Sequence, residues 1–158
     1  MKGTLLVMAL SCAMSVYAMQ KSFDVEEFYG HIGSKNYRIV SQTLAKYPQA
    51  IDACDEEKNT ALHIAASEGS VEIVQLLVEK KSELLEARNN AEETPLFKAV
   101  MMGSEEIVRA LILAGANVKV TKTAPKSGKK YTLRELANAA GHKVVAALLM
   151  QAEQGLIE

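Results

Sequence analysis

One segment of this 158-residue chain returns after 34 residues, and that constrains its fold more than any other feature. Thr60-Ala61-Leu62-His63-Ile64-Ala65-Ala66 is followed at that distance by Thr94-Pro95-Leu96-Phe97-Lys98-Ala99-Val100. The register continues: Gly69-Ser70 matches Gly103-Ser104, Glu72-Ile73-Val74 matches Glu106-Ile107-Val108, and Leu77 matches Leu111. A period of this length marks a stacked-repeat protein, because a unit of some thirty residues cannot bury its apolar face alone and must lean on its neighbours.

Each matched unit divides into a short helix, a glycine stop and a longer helix. Thr60 stands where a hydroxyl can take an orphan backbone N–H at a helix start. Gly69 stands where a left-handed residue ends the turn. Val71, Val74, Leu77 and Val78 then form one apolar stripe of a second helix running from about Val71 to Lys81. The next unit has Pro95 at a first helical position, where its missing N–H is harmless. Met101-Met102-Gly103 closes the short helix, and Ile107, Val108, Leu111 and Ile112 carry the long one.

These residues resemble the ankyrin-repeat family, whose unit of about 33 residues joins a β-turn to two helices and carries a Thr-Pro-Leu-His-x-Ala signature. Thr60 to Ala65 and Thr94 to Ala99 are the two strong copies, and Leu111 to Val118 resembles the family's second-helix end with its Gly-Ala-x-Val turn. A weaker copy follows at Tyr131 to Ala137, with Leu133 in place of Pro and Arg134 in place of Leu. An opening unit is traced by Phe28, Ile32, Gly33, Tyr37, Val40 and Leu44. The resemblance implies an all-α solenoid of about four helix-turn-helix repeats joined by short β-hairpin loops. The units are expected at 24–54, 55–88, 89–121 and 122–150 of a domain spanning 19–158. Lys58 and Glu92 occupy the hairpin position where the family usually has Gly.

The first twenty residues do not follow the pattern. Lys2 precedes an uncharged stretch, and Val16-Tyr17-Ala18 closes it with a small-x-small end, the marks of a Sec-type signal peptide over residues 1–18. Cleavage leaves 140 residues with formal charge −2. Two alternatives stand beside this. An uncleaved anchor would be short and diluted by Ser11, Cys12 and Ser15. A lipoprotein cut before Cys12 would have Leu10 one place from the required position. The expected localisation is periplasmic or secreted, with membrane contact only if the N-terminal segment is retained or lipidated. Cys54 is then the one remaining thiol, which rules out an intrachain disulfide.

Catalytic signals are sparse. Cys54 has no sequence-adjacent His to activate it and reads as an ordinary hairpin residue. His31, His63 and His142 are not in metal-ligand spacing, and the resemblance gives His63 a structural hydrogen-bonding role. No phosphate-binding glycine loop or nucleophile elbow is present. Formal net charge is −1 in the full chain, which offers no global attraction for nucleic acid. The expectation is a non-enzymatic monomer without cofactor or metal, with neither a nucleic acid nor a small-molecule substrate as ligand, whose partner is another protein.

The resemblance places that partner on the hairpin tips and the exposed side of the short helices. By register this selects Glu56, Glu57, Asn59, Ser67 and Glu68 from one unit, Asn90, Ala91, Glu93, Met101 and Met102 from the next, and Lys129, Tyr131, Ala139 and Ala140 from the last. The Met pair is the sharpest of these, since Met is an adaptable contact residue. The alternative is that one of the pair packs under the adjacent repeat. The interval from Thr94 to Thr132 is four residues longer than the preceding one. Its extra residues fall in a loop carrying Lys122, Lys126, Lys129 and Lys130, either an electrostatic contact finger or a solvated loop. The competing functional class is a surface-adhering protein whose lysine loop meets anionic lipid or polymer.

Overall fold

The computed structural model describes residues 23–123 and 128–157. The signal-peptide reading of residues 1–18, the Cys12 alternative and Lys126 lie outside the described residues. The described chain folds as four helix pairs: α1 Val25–Gly33 with α2 Tyr37–Lys46, α3 Ala61–Glu68 with α4 Val71–Lys80, α5 Pro95–Met102 with α6 Glu105–Leu113, and α7 Leu133–Ala139 with α8 Lys143–Glu153. The odd-numbered helices pack in one row, α1 on α3, α3 on α5 and α5 on α7. The even-numbered helices form a second row behind them, again neighbour to neighbour. This is the all-α repeat solenoid implied by the repetition.

Equivalent positions form the core. Phe28, Leu62 and Leu96 are 34 residues apart and all buried, as are the pairs Ile73 and Ile107, Val74 and Val108, Leu77 and Leu111. On α4 the buried residues are Ile73, Val74 and Leu77, while Val71 and Val78 of the expected stripe are only partly covered. The helix sits between α2 and α6 and is backed by α3, so its covered arc is centred on Ile73 and Val74. Ala65, Ala66 and Ala99 are fully buried in the short-helix row, where small side chains let backbones approach closely.

The helix ends show why the chain breaks where it does. Asp24 Oδ1 accepts from the N–H groups of Glu26 at 2.9 Å and Glu27 at 3.2 Å, and Thr94 Oγ1 accepts from Phe97 N–H at 3.3 Å. Thr132 and Glu135 cap α7 reciprocally: Thr132 N–H donates to the Glu135 carboxylate at 2.8 Å and Glu135 N–H to the Thr132 hydroxyl at 3.2 Å. The Thr132 N–H, together with the Thr132 hydroxyl that donates to the same carboxylate at 3.2 Å, holds the Glu135 carboxyl below its ordinary range. Gly69 and Gly103 end α3 and α5 with φ of 77° and 70°, the left-handed conformation that glycine takes without strain. In the opening unit the same position is Lys35, at φ 56°.

Two features go beyond the expected hairpins and helices. Short 3₁₀ turns at Pro48–Asp52 and Ser82–Glu86 are themselves one period apart, and they tuck Ala50, Ile51, Leu84 and Leu85 under the stack. The lysine-bearing insertion is an antiparallel pair, β1 Thr121–Thr123 with β2 Lys130–Thr132, in which Thr121 faces Thr132 and Lys122 faces Tyr131. Threonine and tyrosine at these positions favour extended backbone.

Candidate partner-binding surface

The hairpin tips are built by side chains that replace missing backbone partners. Asp55 Oδ1 accepts from Glu57 N–H at 3.0 Å and Asn59 N–H at 2.7 Å. One period later, Asn89 Oδ1 accepts from Ala91 N–H and Glu93 N–H, both at 3.0 Å. Each is an Asx-type turn. Lys58 and Glu92 complete the two turns, each at φ 59°. The turns keep the left-handed geometry that glycine would take, with a non-glycine residue held in it by these bonds.

The tips are joined to one another. Asn90 N–H donates to the Glu57 carbonyl at 2.8 Å, Asn90 Nδ2 donates to the Glu56 carbonyl at 3.0 Å, and Asn89 Nδ2 donates to Asn59 Oδ1 at 2.9 Å. Asn59 is therefore a correction to the sequence expectation: it is 5% exposed. Its amide also donates to Asp55 and Glu57 carboxylates, so it ties the tips together from within. Glu56, Glu57, Glu68, Asn90 and Ala91 remain exposed, and Ser67 is half-buried with its hydroxyl donating to the Ile64 carbonyl at 3.0 Å.

Glu93 is also drawn inward, its side chain 16% exposed between two ammonium groups, Lys98 at 3.1 Å and Lys122 at 3.2 Å. Burial pushes this carboxyl up, but the bonds from Lys98, Asn89 and Lys122 outweigh it, and the group titrates below its ordinary value. Lys122 further donates to the Ala91 carbonyl and lies 5.3 Å from the Phe97 ring centre. It is thus a brace between the β-hairpin and the third-unit tip. Lys130 is exposed and Tyr131 half-buried, with the Lys129 ammonium 4.7 Å from the Tyr131 ring centre.

Behind the tips, His63 is 1% exposed. Thr60 N–H donates to its Nδ1 at 3.2 Å, which leaves the proton on Nε2 to be donated to the Glu93 carbonyl at 2.9 Å. The Thr60 hydroxyl also turns to Nδ1, at 2.9 Å. Desolvation is the main reason that His63 titrates below its ordinary value, so the ring stays neutral. The sequence reading missed Tyr29, whose hydroxyl lies 2.6 Å from the Ala53 carbonyl and 3.2 Å from that of Asn59. The signal was available, since Tyr29 stands one period before His63.

Met101 and Met102 sit at the end of α5, 40% and 61% exposed. The Met101 carbonyl faces His142 Nε2 at 3.1 Å. Ala139 and Ala140 on the next unit are exposed too. Among the described residues no three His, Cys, Asp or Glu side chains converge as metal ligands would, and Cys54 is a free, exposed thiol. No described helix is long and apolar enough to cross a membrane.

A family model described as ankyrin repeats in three copies matches residues 31–122. The chain belongs to the ankyrin-repeat family. No curated protein matches it at the level of whole-sequence comparison. Ankyrin repeats are generally protein–protein interaction modules and are typically non-enzymatic. The matched stretch covers the two strong ankyrin units and most of the opening one. It stops before α7, where Leu133 is fully buried in the proline position and Arg134 is a half-buried partner of Glu153 at 3.5 Å.

Proposed function

We propose that this chain is an exported, non-enzymatic binding module that docks a protein partner across its hairpin tips and the exposed side of its short helices. The observation that carries the reading is the exposed pair Met101 and Met102, set on a scaffold whose tips are already locked together by Asn59, Asn89 and Asn90. A preformed surface loses little conformational freedom on binding, so more of the contact energy remains as affinity. The acidic tip residues Glu56 and Glu57 lie on one side of the Met pair in register, and Lys129 and Lys130 on the other.

Crosslinking capture in the native compartment tests the reading when the wild type is compared with Met101→Asp/Met102→Asp. The double variant should lose the partner while keeping its circular dichroism and melting temperature. Undiminished capture would remove the Met pair from the interface. Export rests on the N-terminal pattern and has a separate test. Intact mass of the native protein should show loss of residues 1–18, whereas retained Met1 would reject cleavage. The lipid-adhesion reading is weaker, because the Lys122 ammonium is spent on Glu93 and the Ala91 carbonyl.

A further inference from the structure

The row of long helices opens between α4 and α6. By register, Ala110 on α6 corresponds to Leu76 on α4 and to Leu148 on α8. Leu76 packs against the core and Leu148 is 4% exposed, whereas the side chain at 110 is three carbons shorter. The shorter side chain coincides with two adjoining hollows between the helices, of about 450 and 280 Å³, which share Gln75 and Ala110 as walls. The larger is within the range of binding clefts.

Together the hollows form a groove along the two helices, and its floor is apolar. Val71, Val74 and Val78 recur at i, i+3 and i+7 on α4, opposite Ala110 and Ala114. Val71 and Val78 are the two stripe residues that the core leaves partly uncovered, and Leu113 at the groove edge is 55% exposed. The main-chain groups of both walls are bonded within their helices, so the walls offer an extended strand nothing to pair with. Two neighbouring helices do offer a valley that the side-chain ridge of a third helix fits. The charges specify that helix further. Glu72, Glu79, Glu105 and Glu106 stand against Arg109, four acids to one base, which leaves three negative charges at the groove. Arg109 is paired with Glu105 at 3.6 Å, while Glu72, Glu79 and Glu106 have no ion pair among the described residues. An incoming ammonium or guanidinium therefore meets unpaired acceptors, and an acidic segment or an anionic lipid surface is repelled.

We infer that the groove between α4 and α6 seats a basic amphipathic helix of a partner protein, with a large apolar side chain in the hollow over Ala110 and lysine or arginine side chains against Glu72, Glu79 and Glu106. The surface is separate from the docking face proposed above, because it lies on the long-helix row behind the short helix that carries Met101 and Met102. Glu72 and Glu79 stand two turns apart, about 10 Å along α4, so basic residues at i and i+7 of the incoming helix match them.

The test titrates the isotope-labelled full chain with an acetylated and amidated helical peptide of about four turns. Leucines line one face of the peptide and lysines flank them at i and i+7; a second peptide has glutamate for lysine. The lysine peptide should shift the amides of Gln75 to Glu79 and Arg109 to Ala114 in a saturable way. It should bind at least about tenfold more tightly than the glutamate peptide, since three unpaired acids attract one and repel the other. Ala110→Leu restores the residue of the equivalent positions and fills the hollow, so it should weaken the lysine peptide by about tenfold or more while the melting temperature does not fall. Glu72→Gln/Glu79→Gln, at exposed positions, tests the groove without touching its packing and should weaken the peptide by about fivefold. Equal binding of the two peptides, shifts confined to other residues, or indifference to both Ala110→Leu and Glu72→Gln/Glu79→Gln would overturn the inference. So would self-association that Ala110→Leu abolishes without any peptide binding, which assigns the groove to a second copy of the chain.

Discussion

Tyr29 and His63, one 34-residue period apart, perform the same task with different chemistry: each reaches the main-chain carbonyl thirty residues further on, Tyr29 that of Asn59 at 3.2 Å and His63 that of Glu93 at 2.9 Å. The Tyr29 hydroxyl also reaches Ala53 at 2.6 Å, and burial pushes its titration well up, which keeps it a donor. Phe97 stands at the next equivalent position, and the Lys122 ammonium lies against its ring. The rung that fastens each short helix to the following hairpin is therefore conserved in position while its side chain varies.

Tyr29→Phe keeps the ring and removes the donor. The Ala53 carbonyl loses the hydroxyl while the Asn59 carbonyl keeps the Asp55 N–H at 3.1 Å, and stability should fall by about 1–2 kcal/mol. Urea unfolding at neutral pH measures this, and a midpoint equal to the wild type would show that the hydroxyl bond contributes nothing net.

Acid should weaken the fold in two stages. His63 titrates below its ordinary 6.5 when folded. The unfolded chain therefore takes up the proton first, so His63's contribution is intact above about pH 6.5 and falls as pH drops from there towards the folded value. Glu93 titrates below its ordinary 4.5, so its contribution is present above that pH and is lost as pH falls through the folded value. Denaturant midpoints taken from pH 7.5 to pH 3.5 should show an early decline that His63→Gln removes and a later one that Glu93→Gln removes. An unchanged early decline in His63→Gln would assign it to another group.

The tips carry backbone strain that glycine would relieve. Lys58 sits at φ 59° and its side chain is exposed. The left-handed conformation costs a non-glycine residue roughly 1–2 kcal/mol, and the extra freedom of glycine in the unfolded chain returns about 0.4–1 kcal/mol of that. Lys58→Gly should raise stability by roughly 0.5 kcal/mol. Lys58→Ala should not raise it. A loss of stability in Lys58→Gly on thermal unfolding would mean that the turn geometry differs from a strained one.

How much of this was legible beforehand follows from which residues repeat. Thr60, Leu62, Gly69 and Leu77 recur in type at 94, 96, 103 and 111, so the helix pairs and their core were readable. Tyr29 and Lys35 keep the role of His63 and Gly69 without keeping the residue type, so a search for matching letters passed over them. Asn59 and Glu93 looked exposed because they are polar and sit at hairpins. Asn59 is buried and Glu93 largely covered because each hairpin is covered by the next, a contact between residues some thirty positions apart that composition does not reveal. The lysine insertion read as a loop since its pairing, Thr121 with Thr132, spans a turn-rich stretch whose strands are only three residues each.

Gly69 and Gly103 occupy equivalent left-handed positions but face different surroundings. A Cβ on Gly69 would meet only the Lys35 and Ser104 side chains, at 3.9 and 4.0 Å, whereas on Gly103 it would stand 2.5 Å from His142 Nδ1. That imidazole is held from its other side by the bond between Nε2 and the Met101 carbonyl, so it cannot retreat without releasing the end of α5. Both alanine substitutions incur the left-handed strain of roughly 1–2 kcal/mol, and Gly103→Ala adds a steric term typical of overpacking, about 1–3 kcal/mol. Gly103→Ala should thus melt well below Gly69→Ala. In a His142→Ala background the added term should largely vanish, a coupling that a double-mutant cycle reads directly. If the two alanine variants unfold at the same denaturant concentration, or if His142→Ala leaves their difference intact, His142 does not pack over Gly103.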